Sequence, residues 1–252
     1  MRPTPESRLR VRERPRGFAA MTQRWDDLLF AHWETSPEAI QRTLPEGLTV
    51  DTWEGRAFIG VVPFFMNRVR PAFLPALPWL SYFMELNVRT YVHDRDGNPG
   101  VWFYSLDCNQ PIAVRVARRF FGLPYKDAAM SMKDGAYDCR RSDGKAAASF
   151  AYKVEADTHE ATPETLEWFL TERYLLFSMK GGRLYRGQVH HSPYPLSTPS
   201  VRECDIRGLA PSGIALEGPP THIVGSPGVS VEIFGVERVS FAPTRNSLPN
   251  TT

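Results

Sequence analysis

CNQPIAVRVARRFFGLPYKDAAMSM, residues 108–132, is the stretch whose reading decides the fold. Asn109 is a good N-cap, and Pro111 falls among the first helical positions, where a missing N–H costs nothing. Ala113, Val116, Ala117, Phe120 and Phe121 recur at helical spacing on one face, with Arg115, Arg118 and Arg119 away from it. Gly122 predicts a left-handed cap, and Pro124 blocks continuation. The chain must therefore turn sharply and hold Tyr125 and Lys126 at a fixed corner. That corner is the first place to expect function.

Outward from it, the chain is mostly strand. Upstream, MELNVRTYV (Met84 to Val92) alternates: Met84, Leu86, Val88 and Val92 point one way, and Glu85, Asn87, Arg89 and Tyr91 the other. Asp96-Gly97 turns it into a second strand, Val101 to Leu106. Downstream, Ala136 to Arg141 and Ala146 to Glu155 form hairpin arms joined at Asp143-Gly144. LLFSMKGGRLYRGQVHH (Leu175 to His191) is a hairpin turning at Gly181-Gly182, in which Leu184, Arg186, Gln188 and His190 share a face. Thr162-Pro163-Glu164 opens a second helix and Ser36-Pro37-Glu38 a third. Glu46 to Phe65 reads as a hairpin around Glu54-Gly55, and Arg68 to Pro78 as a proline-stiffened apolar loop that covers a cavity or another subunit. Residues 208–228 read as loop and Val229 to Val239 as a last strand.

These elements predict a single α+β domain of mixed, mostly antiparallel sheets with about three helices, curled into a barrel or cone around a pocket. It spans residues 21–241, after a flexible basic arm (1–20) and before a loose tail (242–252). Residues 1–20 hold six arginines against Glu6 and Glu13, a surplus of four; the formal charge of +2 therefore leaves −2 for residues 21–252. A near-neutral domain excludes a nucleic-acid footprint. An upstream extension or a misassigned start is the expectation for the arm, since Met21 follows it. No apolar run reaches the ~20 residues that span a bilayer. Three scattered cysteines make neither a disulfide framework nor a zinc spacing, so the expected compartment is the cytoplasm.

The inward polar faces nominate one pocket. Glu85 is a proton carrier and Arg89 a clamp for a ligand carboxylate, with Asn87, Arg186 and Gln188 beside them. His190 is a second proton carrier, Tyr125 a proton donor, and Lys126 the one candidate amine nucleophile. Phe64, Trp102 and Phe120 supply apolar wall. Each has a plainer use: Lys126 as a solvated partner of Asp127, Tyr125 as a buried phenol on a carbonyl, Glu85 with Arg89 as a self-satisfied pair. His190 and His191 point to opposite faces of a strand and cannot share a metal ion without a bulge, and no metal or other cofactor is expected.

SPEAIQRTLPEGLTVDTWEGRAFIGVVPFFM (36–66), YFMELNVRTYV (82–92), FFGLPYK (120–126) and GGRLYRGQVHHSPYPL (181–196) together resemble the YqjF-like family of uncharacterised bacterial proteins. That family is similar in fold to acetoacetate decarboxylase, and the likeness covers roughly residues 22–240. The resemblance implies a barrel around a pocket, a small keto or carboxylate ligand, and decarboxylase-like lyase chemistry through a Schiff-base lysine. Matched from Pro124, however, the Schiff-base position is Tyr125, and Lys126 takes the place of the decarboxylase's second lysine. Glu85 matches an acidic residue of the family's strand. Three classes of function are therefore expected: acid–base or lyase chemistry, ligand binding without turnover, and a structural role in a homo-oligomer.

Overall fold

The computed structural model describes residues 1–239; the tail expected over 242–252 lies outside the described residues. Seven strands, numbered along the chain, close a mixed barrel. In ring order they are β1 (Met21–Thr35), β3 (Ala57–Pro71), β4 (Phe83–Asp94), β5 (Pro99–Cys108), β9 (Leu175–Lys180), β10 (Arg183–His190) and β12 (His222–Arg238), with β12 returning to β1. β5 is the branch point. One edge pairs antiparallel with β4; the other pairs parallel with β9 at Val101 and Trp102 and with β6 (Tyr125–Lys133) from Leu106 to Cys108. From β6 the sheet runs on through β7 (Ala136–Arg141) and β8 (Ala147–Lys153) to β11 (Ser200–Asp205). The helices are α1 (Pro5–Arg10), α2 (Pro37–Gln41), α3 (Pro111–Phe121) and α4 (Leu166–Thr171).

Closure needs bent strands, and the bends are local. β1 carries a register shift between Asp26 and Ala31, where Asp27 takes a φ of 51°. Tyr152 pins this bulge by donating from its hydroxyl to the Asp27 carbonyl at 2.6 Å. β4 is buried along its whole length. Its outer side chains Met84, Leu86 and Val88 pack with Tyr137 and Phe150 of the outlying sheet, which leaves the polar side of the strand to face into the barrel. Gly100 lets β5 pass β9: a Cβ there would sit 2.7 Å from the Leu175 carbonyl oxygen and 2.8 Å from Phe177. Gly100→Ala is therefore expected to cost about 1–3 kcal/mol in chemical unfolding, as overpacking does; an unchanged midpoint would show that the crossing has slack.

The barrel, the central helix with its Gly122 cap (φ 65°), and the hairpins at Asp96-Gly97, Asp143-Gly144 and Gly181-Gly182 agree with the sequence reading. Four expectations are corrected. Gln110, not Asn109, caps α3; Asn109 instead accepts from the Met84 backbone at 2.8 Å. The expected hairpin around Glu54-Gly55 is a single bridge between Trp53 and Arg56. β2 (Leu48–Val50) pairs with β4, because the amide of Gln41 occupies its other edge at Leu48 and Val50. The corner at Tyr125 opens into strand β6, and β12 starts at His222, inside the expected loop.

The N-terminal segment read as a flexible arm lies docked on the barrel. Val11 is buried beside Leu184 and Tyr174. Arg8 and Arg14 reach carboxylates at Asp51 and Glu232. Apolar content underestimates this segment because its contacts are guanidinium pairs and backbone carbonyls.

Candidate functional site

The barrel interior holds a cavity of about 280 Å³. Leu28, Phe30, Val62, Phe64, Phe83, Leu106, Val189 and Tyr194 wall it, and α3 closes one side with Ala113, Val116, Ala117 and Phe121. Met66, Val69, Pro71 and Leu80 border its open end. At the other end, buried α4, Asp51 and the docked arm shut the barrel. Polar side chains enter from one strand face: Glu85, Asn87 and Arg89 of β4 all line the cavity, as does Tyr125 from the start of β6.

Tyr125 donates its hydroxyl to Glu85 Oε2 at 2.9 Å. The corner aims it: the Gly122 cap reverses the chain, and Arg118 of α3 donates to the Tyr125 carbonyl at 2.7 Å. Burial pushes the Glu85 carboxyl up to about 7, against the hydrogen bonds from Tyr125 and Asn87, with Asp107 adding to the rise. Near neutral pH it is therefore a carboxyl group poised to lose or regain a proton. Burial and the Glu85 charge drive the Tyr125 phenol well above its ordinary value, so it remains a donor. Cys108, close by, is likewise pushed up by burial and Glu85 and stays a thiol.

Four residues farther along β4, about 13 Å of strand, lies Arg89. It is 8% exposed and stacks over Phe30 and Tyr91 at 5.4 and 5.7 Å. Its Nη2 reaches the Leu170 carbonyl only at a long 3.4 Å, it also hydrogen-bonds the Tyr91 hydroxyl, and its Nε has no partner. Arg173 also lines this end; Asp51 takes its Nη1 at 2.7 Å, while Nη2 is unpartnered. The Asn87 Oδ1 is unpartnered too. Such buried groups are costly unless something pairs with them.

Of the candidates named from sequence, Glu85, Asn87, Arg89, Tyr125 and Phe64 meet at this cavity. Six do not. Lys126 is exposed, because strand alternation at the start of β6 turns Tyr125 inward and its neighbour out. Lys133, Lys145, Lys153 and Lys180 are exposed as well, so no lysine of the chain reaches the cavity. Arg186, Gln188 and His190 lie on the outer face of β10. Arg186 bonds Glu237 and Asp94, Gln188 donates to the Val11 and Glu13 carbonyls, and the His190 ring donates to that of Arg12. That face is polar because the docked arm offers it carbonyls; Val189, between them, is the residue that points in. Trp102 and Phe120 are each one residue off. Trp102 packs outside the barrel while Val101 and Phe103 line it, and Phe120 is 61% exposed while Phe121 lines it. Arg173 and Tyr194 were not nominated. Each sits in an irregular segment, Arg173 between α4 and β9 and Tyr194 after β10, where an isolated residue gives no directional signal.

Among the described residues, no group of three or more His, Cys, Asp or Glu is placed to hold a metal ion, and no helix is long and apolar enough to cross a membrane.

Comparison with known proteins places this geometry. The acetoacetate decarboxylase-like enzyme from Sphingomonas wittichii RW1 superposes with a TM-score of 0.59 at 14% identity, over 89% of this chain and 94% of that one. Acetoacetate decarboxylase from Legionella pneumophila gives 0.58 at 14%, over 90% and 92%. The enduracididine biosynthesis enzyme MppR complexed with pyruvate gives 0.59 at 15%, over 90% and 93%. At these identities the likeness is one of fold. In sequence, the chain is 40% identical over 187 residues to the uncharacterized protein YqjF of Bacillus subtilis (strain 168), covering 72% of this chain and 77% of that protein. The model of the DUF2071 family, described as an uncharacterized conserved protein, matches residues 22–230. The chain belongs to the DUF2071 family, of which YqjF is a relative, on an acetoacetate-decarboxylase-like fold.

Proposed function

We propose that the chain binds a small organic carboxylate in the barrel cavity and moves a proton on it by acid–base chemistry, without a Schiff base. The observation that carries this is the buried Glu85–Tyr125 pair facing an apolar cavity that also contains the carboxylate-free Arg89. A keto acid recorded in the neighbour MppR, pyruvate, supports this ligand class. In the reaction we envisage, ionised Glu85 takes a proton from the carbon beside the ligand's carbonyl. The C–H electron pair becomes the C=C bond of an enolate, and the Tyr125 hydroxyl hydrogen-bonds the oxygen that gains charge. Returning the proton closes the cycle. Absence of a lysine from the cavity also keeps alive a second reading, ligand binding without turnover. The free thiols of Cys108, Cys139 and Cys204 suit a cytoplasmic setting.

Deuterium incorporation beside the carbonyl of medium-chain oxo acids whose keto group lies well along the chain from the carboxylate, as the spacing of Arg89 and Glu85 on β4 requires, followed by NMR, tests the chemistry. The wild type is expected to catalyse exchange with a rate that rises as pH passes through about 7, where Glu85 ionises, and Glu85→Gln to lose at least ~100-fold. Equal rates in the two proteins would reject Glu85 as the base. Borohydride reduction with the same acids is expected to leave the protein mass unchanged; an adduct would restore imine chemistry.

A further inference from the structure

We propose that the ligand is an amphipathic carboxylate, an alkyl or acyl chain whose charged head enters first and whose tail lies along the barrel. This rests on the carboxylate-binding reading above and specifies its substrate class. The closed end is cationic in excess. Arg8, Arg89 and Arg173 gather there with Asp51 the carboxylate between two of them, and Arg89 Nε and Arg173 Nη2, both buried, have hydrogens to give. A planar carboxylate is the group that suits two guanidinium edges.

Above that end the walls are mostly apolar, broken by Asn87 and the Glu85–Tyr125 pair on one side and by Gln23. β3 runs from Gly60, opposite Arg89, past Phe64, opposite Glu85, to Val69 at the open end. That is about 30 Å of strand, less along a tilted barrel axis. A three- or four-carbon acid would leave most of this length without contacts.

The open end is apolar on its outer rim as well. Ile112, Val116 and Phe120 form an exposed stripe at i, i+4, i+8 of α3. Phe73 and Trp79 of the adjoining loop are 86% and 63% exposed. The loop is tied to the helix where Gln110 donates to the Trp79 carbonyl at 2.8 Å. A rim of this kind receives an emerging hydrocarbon tail, whereas a small keto acid gives it nothing to do. With the head on Arg89, the chain passes the Glu85–Tyr125 pair, which places proton transfer at a carbon some way from the carboxylate.

Calorimetric titration of the full chain with butanoate, hexanoate, octanoate and decanoate tests this. Affinity is expected to rise about fourfold per added methylene, and decan-1-ol to bind at least tenfold more weakly than decanoate. Arg89→Met is expected to abolish that preference for the acid over the alcohol. Ala117→Phe, which narrows the channel near α3, is expected to weaken decanoate at least tenfold and leave butanoate unchanged. Butanoate and 2-oxobutanoate binding as tightly as decanoate would overturn the tail while sparing the carboxylate reading. Binding of none of them would overturn both. Decanoate binding indifferent to Arg89 and Ala117 would reduce the effect to adsorption on the rim and overturn the proposal.

Discussion

Glu85→Gln is expected to stabilise the protein above neutral pH and to leave it unchanged in acid. The wild-type carboxyl titrates at about 7 in the folded chain against an ordinary value of 4.5. Below pH 4.5 the group is protonated in both states and contributes nothing. Between 4.5 and 7 the unfolded chain releases the proton while the folded chain holds it, so the native state binds more protons and stability falls as pH rises. Above 7 the full cost of a buried carboxylate is present, on the order of 3 kcal/mol. The glutamine keeps an acceptor for the Tyr125 hydroxyl and never ionises. Urea unfolding of both proteins at pH 4 and pH 8 measures the difference, since contributions from all other groups cancel between them. Parallel pH profiles would mean that Glu85 has an ordinary pKa and that the cavity is wet enough to solvate it.

Asp51→Asn is expected to act in the opposite direction and more strongly. Asp51 accepts from Arg8 Nη2 at 2.8 Å and from Arg173 Nη1 at 2.7 Å, and it is 4% exposed. Burial alone would raise its carboxyl; the two guanidiniums more than offset this and hold it below the usual range. Removing the charge leaves buried Arg173 without its counter-ion, a loss of about 3–5 kcal/mol, which lowers the melting temperature on the order of 10 °C. Because the folded value is depressed, this stabilisation is present above the unfolded pKa and disappears as pH falls through the folded one. Wild type and Asp51→Asn should therefore converge in acid. Arg8→Met, which leaves the Asp51–Arg173 pair intact, should cost less. If Arg8→Met proved as damaging as Asp51→Asn, the weight of the cluster would lie on the arm contact.

The two substitutions separate what was legible in the sequence from what was not. β4 announced its inward face through strict alternation, so Glu85, Asn87 and Arg89 were placed correctly from spacing alone. α3 was legible at its ends, because Pro111 and Gly122-Leu123-Pro124 mark them, but less so in its face: Val114, left out of the expected stripe, is its buried residue, while Val116 and Phe120 are exposed. The same alternation misled on β10. Polar residues on one face signal something that satisfies them, and spacing cannot distinguish a cavity from the carbonyls of a docked arm. Tyr125 and Lys126 were a choice between neighbours that only the start of β6 decides. Asp51, Arg8 and Arg173 come together from three distant segments, and nothing local links them. Likewise Trp102 and Phe120 missed by one position, where the expected wall was right in kind and the register was not available.

The most direct measurement is a crystal structure grown with a bromine-tagged alkyl carboxylate, its anomalous signal locating the tail. The account predicts the carboxylate within hydrogen-bond distance of Arg89 Nε and Arg173 Nη2, the chain passing Glu85 and Tyr125, and the bromine toward α3. Ligand held instead outside the barrel, in a groove across β1, β10 and β12 that Arg24, His190 and Glu232 line, with side chains filling the barrel, would contradict it.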